Sequence, residues 1–245
     1  MIKRSQFTRW VRKFHRWVGV GVAVQLILWI AGGLVMASLD LQQVRGAHYA
    51  VEAAAVPLQA ERIAVSPAQL LEQVDAEVSE LRIMEWQGQA VYRLRLAASP
   101  SRPLLMSAET GRVLSPLDET MARQVARADY SGPGQLISAQ WLDEVPREAR
   151  GRRAPLWRVH FNDAIETAIY VSADSGQVVA RRNNWWRLFD VVWMLHIMDY
   201  DTRDDFNHPL LVIAAASALL FALSGAVLLV LGWWPRSTQR APGVS

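Results

Sequence analysis

Two long stretches without a formal charge constrain this chain more than any other feature. No Asp, Glu, Lys or Arg occurs from Trp17 to Leu39, nor from Pro209 to Trp234. At about 1.5 Å rise per residue, 23 residues reach roughly 34 Å, enough to cross a hydrocarbon layer of about 30 Å. Two core helices of that length would need a far larger soluble domain around them. Both stretches therefore read as transmembrane helices, 17–39 and 209–234, leaving the bulk of the 245 residues between them.

Charge sets the expected orientation. Residues 1–16 carry Lys3, Arg4, Arg9, Arg12, Lys13 and Arg16 and no acid; the tail 235–245 carries Arg236 and Arg240 and no acid. The remaining 18 cations lie in residues 40–208 with all 23 acids, a balance of −5. Positive charge stays on the cytoplasmic side, so both tails are expected there and 40–208 outside. The basic ends are then explained by topology and anionic lipid, not by nucleic acid. Eight of the eleven tryptophans, among them Trp17, Trp185, Trp186 and Trp233, lie in or beside the spans, as an interfacial belt requires. The first span far exceeds the roughly 7–15 residues of a signal-peptide core, so an uncleaved anchor is expected despite Ala37-Ser38. Cysteine is absent, which excludes disulfides, thiolate metal sites and a cysteine nucleophile.

The intervening region reads as α+β. Residues 40–57, small and Ala-rich, suggest a linker. Ser66-Pro67 makes a helix start, and Leu70, Leu71, Val74 and Val78 continue it for about 12 residues. Strands are expected at 81–86, 90–96, 104–107 and 112–114. A second unit follows: helical 120–128, a break at Gly132-Pro133-Gly134, a short helical stretch 135–145, a basic loop 147–153, and strands at 156–161, 167–172 and 177–181. The phrases Met106-Ser-Ala-Glu-Thr-Gly-Arg-Val and Val171-Ser-Ala-Asp-Ser-Gly-Gln-Val lie 65 residues apart. Each sets an acid two residues before a glycine turn and then resumes a β run, which argues for duplication. The units run 58–118 and 119–184. An amphipathic interfacial helix, 187–200, lies within 185–208, with Phe189, Trp193, His196 and Tyr200 on one face.

These repeats resemble the PepSY domain, a helix followed by strands and a terminal hairpin. Phe14-His15-Arg16-Trp17-Val18-Gly19 and Trp193-Met-Leu-His196-Ile-Met-Asp-Tyr200 are similar to segments flanking the spans of PepSY-associated transmembrane proteins. Better-known members have four spans; two are visible here. The resemblance implies an inner-membrane protein with a periplasmic tandem PepSY region that binds a protein or peptide near a membrane complex. It also implies a second reading, a b-haem electron-transfer subunit of a ferric-siderophore reductase system for iron uptake, with His196, His208 and His15 as haem ligands. His196 and His208 would share the outer side; His15, a membrane thickness away, would need a ligand from another copy in a homo-oligomer. A third implication is inhibition or chaperoning of an exported peptidase.

Nothing catalytic stands out. There is no Gly-x-Ser-x-Gly elbow, phosphate-binding loop, dinucleotide fingerprint or His-Glu-x-x-His. The expected role is non-catalytic, alone or as a subunit of a membrane oxidoreductase. The oxygen-rich run from Asp199 to His208 could suit a hard cation, but it lacks the glycine and closing glutamate of a calcium loop and reads more readily as a solvated helix connection capped by Asn207. Gln25 and the small residues Gly19, Gly21, Gly32, Gly33, Ser224 and Gly225 suit close helix packing.

Overall fold

The computed structural model describes residues 4–52 and 56–233. Lys3, Trp234, Arg236, Arg240 and the tail 235–245 lie outside them, as do residues 53–55 of the expected linker. The protein is α+β, with long apolar helices flanking antiparallel sheets. It divides into two compact units, one of residues 1–39 with 189–245 and the other of residues 40–188.

The first unit is helical. α1 (Arg4–Ser38) and α6 (Pro209–Trp233) are each long and apolar enough to cross a membrane. Only 6% of the apolar window of either is buried, which distinguishes them from the core helices of a soluble domain. They pack on each other antiparallel, because small residues let the backbones approach. A Cβ on Gly19 would stand 2.6 Å from the Phe221 ring, and one on Gly225 would stand 3.2 Å from His15. Gly32 meets Val192 in the same way, whereas Gly21 and Gly33 face open space.

α5 spans Asn184–Ile197. It begins three residues before the expected start because the Asn183 side chain accepts the Trp186 N–H at 2.9 Å. It stops at Ile197, where Met198 turns to a left-handed φ of 59°. Tyr200 therefore falls outside the helix, and the expected common face loses its last member.

The second unit holds two sheets. In the first, β1 (Val78–Trp86), β2 (Gln89–Leu96) and β3 (Ser99–Ser107) form a meander in that order. α3 (Pro67–Gln73) lies on the face of Tyr92, Leu94 and Met106, with Leu70 fully buried among them. Its start carries a capping box between Ser66 and Gln69. It is shorter than its periodicity suggested. Val74 is already extended, and Val78 pairs with Leu96 in the sheet. The expected strand 112–114 reduces to one bridge, Met106 with Val113.

In the second sheet β4 (Leu136–Leu142), β5 (Leu156–Phe161), β6 (Ala168–Ser172) and β7 (Val178–Arg182) pair in order, with α4 (Glu119–Asp129) beside them. Within the stretch 135–145, Leu136–Leu142 is thus a strand, and no part of it is a helix. Pairing with it satisfies the free edge of β5 and sets Trp141 opposite Trp157, the rings edge-on at 5.3 Å. Sheet pairing overrides local helical preference here.

One core joins the two sheets. Trp86, Val91 and Leu105 from the first meet Val159, Ile169 and Val171 from the second, with Val125 of α4. The segment 40–57 is more ordered than a linker. α2 (Leu41–Val44) buries Val44, Asn183 donates to the Gln43 carbonyl at 2.8 Å, and Val51 N–H bonds the Asp129 carbonyl at 2.8 Å.

The two glycine turns have the same hydrogen bonds. The Ser107 hydroxyl accepts the Thr110 N–H at 3.2 Å, and the Ser172 hydroxyl accepts the Ser175 N–H at 3.2 Å. Gly111 and Gly176 N–H bond the carbonyls of Ser107 and Ser172, each at 2.9 Å, with φ of 72° and 66°. The repeats diverge before that. Two residues, Gln87-Gly88, join β1 to β2, whereas residues 143–155 join β4 to β5.

Candidate functional site

The three histidines on which a haem would depend sit in the helical unit. His15 on α1 stacks on Phe221 at 4.2 Å, and its Nδ1 lies 2.7 Å from the Ser224 hydroxyl. Ser224 Oγ donates to the Phe221 carbonyl at 2.7 Å, so His15 Nδ1 donates to Oγ. Ser224 stands 15 residues along α6 from Pro209, a rise of about 22 Å. His15 is that far from the end of α6 where His208 lies.

His208 is committed to the backbone. Its Nδ1 accepts the Leu210 N–H at 3.1 Å, and its Nε2 donates to the Met198 carbonyl at 2.8 Å. Neither nitrogen keeps a free lone pair for a metal. His196, on α5, lies 6.1 Å from the Trp29 ring; its Nδ1 and the Trp29 Nε1 are both buried without a hydrogen-bond partner. Bis-imidazole haem needs two convergent lone pairs, one on each face of the ring. His15, His196 and His208 do not offer that within one chain. Within one chain the residues present do not fit the group.

The acidic connection between α5 and α6 is a self-capped loop. The Asp199 carboxylate accepts the Thr202 hydroxyl at 2.5 Å and the N–H groups of Asp201, Thr202, Asp204 and Asp205 at 3.0–3.1 Å. The Thr202 hydrogen bond first, then the backbone donors, hold this carboxyl well below the usual carboxylate range. Asp190 and Arg203 form a buried ion pair nearby, and Trp193 Nε1 donates to the Arg203 carbonyl at 3.1 Å. Among the described residues no three His, Asp or Glu converge to hold a metal. A small cavity of about 220 Å³ opens beside Gln25, Trp29, Met198 and Ser217. Gln25 Nε2 donates to the Leu195 carbonyl at 3.4 Å, so it ties α1 to α5.

A charged groove of about 370 Å³ lies in the α+β unit. Its floor is the end of the first sheet beyond the apolar core. On that face Met84, Val91 and Leu105 give way to Arg82, Arg93, Glu80 and Arg95. Arg82 is directly opposite Arg93, and Glu80 directly opposite Arg95. Glu80 bonds Arg82 and reaches Arg95 at 2.7 Å. Arg152 and Arg153, from the 143–155 connection, line the groove as well. Among the described residues the side chains of Arg93, Arg152 and Arg153 make no ion pair. Five guanidiniums thus share one carboxylate, although residues 40–188 as a whole hold 17 arginines against 18 acids.

The loop carrying Arg152 and Arg153 is held from below. Glu148 accepts the Tyr170 hydroxyl at 2.9 Å and Arg187 Nε at 2.8 Å, and its carbonyl accepts Arg182 Nε at 2.6 Å. Ala149 is fully buried. Burial pushes the Glu148 carboxyl up, but the hydrogen bonds from Arg187 and Tyr170 more than offset this and leave it low. Arg182 lies 4.3 Å over the Trp186 ring; burial, then the charge of Arg152, brings it down to about 10. Trp186 is also a platform for arginines, with Arg150 on it at 5.6 Å.

The basic loop and the period-two pattern that sets Arg93 and Arg95 on one strand face are visible in the sequence. The juxtaposition of Arg82 with Arg93 is not, because it depends on the β1–β2 register. Comparison of the chain with protein families, with curated proteins and with solved structures finds no match.

Proposed function

We propose that the chain is a membrane-anchored accessory protein. α1 and α6 cross the bacterial inner membrane, both ends face the cytoplasm, and residues 40–208 stand on the periplasmic side, where the α+β unit binds a protein or peptide partner close to a membrane complex. The observation that carries this reading is the exposure of apolar side chains along both helices. Val20, Val24, Ile27, Ile30 and Leu34 on α1, and Leu219, Leu223, Leu229 and Val230 on α6, are all more than half exposed. Contiguous apolar surface on that scale is stable in lipid and a liability in water. The likeness of the repeats to PepSY domains supports a binding role over a catalytic one, and a second anchor holds the domain close to the bilayer.

Alkaline carbonate washing and protease protection test the anchor. The protein should stay in the membrane pellet, and terminal tags should resist protease in intact spheroplasts while the 143–155 loop is cut. Release by carbonate, or tags cut from outside, overturns it. A photoreactive residue at Arg62 or Arg112, both outside the arginine groove, tests the partner: a discrete adduct with an exported protein is expected, and no adduct from either site or from the 143–155 loop overturns the binding role.

A further inference from the structure

We infer that the arginine groove of the α+β unit takes an acidic peptide segment in extended conformation. The inference rests on the binding role proposed above and specifies the chemistry of the partner. Three observations lead to it.

The first is an unrelieved charge. Arg82 and Arg93 are directly opposite on β1 and β2. Like charges in that position destabilise a sheet. Glu80 relieves Arg82, but among the described residues no carboxylate pairs with Arg93. Among the described residues no ion pair uses the charge at position 93; an anion arriving from outside would.

The second is the arrangement. Arg93 and Arg95 project from the same face of β2 two residues apart, about 6.8 Å along the strand. Alternate side chains of an extended peptide have the same spacing. A single small oxyanion would instead call for guanidiniums converging on one point. Arg152 and Arg153 line the same groove from the 143–155 connection, so an acidic strand would meet cations from two separate segments. Each guanidinium can grip a carboxylate with two parallel hydrogen bonds.

The third is the origin of the second wall. Arg152 and Arg153 sit in the 13 residues, 143–155, that join β4 to β5, where the first repeat uses two. The Glu148 carboxylate, held by Tyr170 and Arg187, fixes that connection to the sheet. The groove arises where the duplicated units differ.

The test uses the full-length protein in detergent micelles and a labelled ten-residue peptide alternating Asp and Ser, with an alternating Lys-Ser peptide and inorganic tripolyphosphate as comparators. The Asp peptide should bind and the Lys peptide should not. Affinity should fall roughly tenfold or more between low and high salt, as for exposed charge pairs. Arg93→Glu should lose at least about tenfold in affinity. It should also raise the melting temperature, because it sets an acid opposite Arg82. Arg152→Glu should weaken binding likewise, while Arg123→Glu on α4, outside the groove, should leave it unchanged. Three results overturn the inference: no binding of the Asp peptide at low salt, binding indifferent to Arg93→Glu and Arg152→Glu, or tripolyphosphate binding more tightly than the peptide. If the Asp peptide fails while an adduct still forms at Arg62 or Arg112, the acidic-segment inference falls and the broader binding role stands.

Discussion

Gly176 shows how much one residue can carry. Its N–H closes the second glycine turn, its φ is +66°, and its carbonyl accepts the Trp86 indole N–H at 2.8 Å. That bond ties the turn of the second repeat to the end of β1 in the first. A Cβ there would stand 2.7–3.0 Å from the Trp86 ring. Gly88, at φ +79°, faces open space. Both positions charge an L-residue for left-handed backbone, about 1 kcal/mol, but only Gly176→Ala also overpacks a core, by roughly 1–3 kcal/mol. Gly176→Ala should therefore cost about 2–4 kcal/mol and Gly88→Ala about 1 kcal/mol, read by denaturant unfolding of the detergent-solubilised protein. Equal losses would show that the Trp86 contact is not tight. The glycine and its turn are legible in the repeated phrase of the sequence. The indole above it is not, because Trp86 lies 90 residues away along the chain.

At the scale of elements, the 143–155 connection behaves as a structural part with its own titration. Glu148 has a folded-state pKa below its ordinary value of 4.5 because Arg187 and Tyr170 donate to its carboxylate. An acid with a depressed folded pKa contributes stability that is fully present above the unfolded value and lost as pH falls through the folded one. Stability should thus decline as the solution is acidified below about 4.5. Asp163 adds to this slope. Burial raises its pKa, but the Thr167 and Tyr130 hydrogen bonds outweigh that and lower it below 3.8. Glu148→Gln should flatten the acid limb measured by melting temperature against pH, leaving the parts that belong to Asp163 and Asp199. An unchanged slope would mean that Glu148 is not held in the folded state. Reading 135–145 as a helix fails at this same scale. The apolar residues there fit two periods, and the need of β5 for a partner strand chooses between them.

For the whole molecule, the two units divide the work. Tight helix pairing belongs to one, and sheet packing to the other. Gly19→Leu should drive a side chain into Phe221 and loosen α1 against α6. The expected result is a lower melting temperature for detergent-solubilised protein, with the protease cleavage pattern within residues 58–184 unchanged. Loss of protection across both units together would show a single cooperative fold instead. Two apolar helices, an α+β region and its duplicated turn could be read from the sequence alone, because each depends on local pattern: charge-free length, periodicity and glycine before a β run. The arginine groove, the commitment of His208 to backbone groups and the strand at 136–142 could not. They arise from register and from contacts between residues far apart in the chain, and local pattern carries no information about which distant group will be there to satisfy a hydrogen bond or a charge.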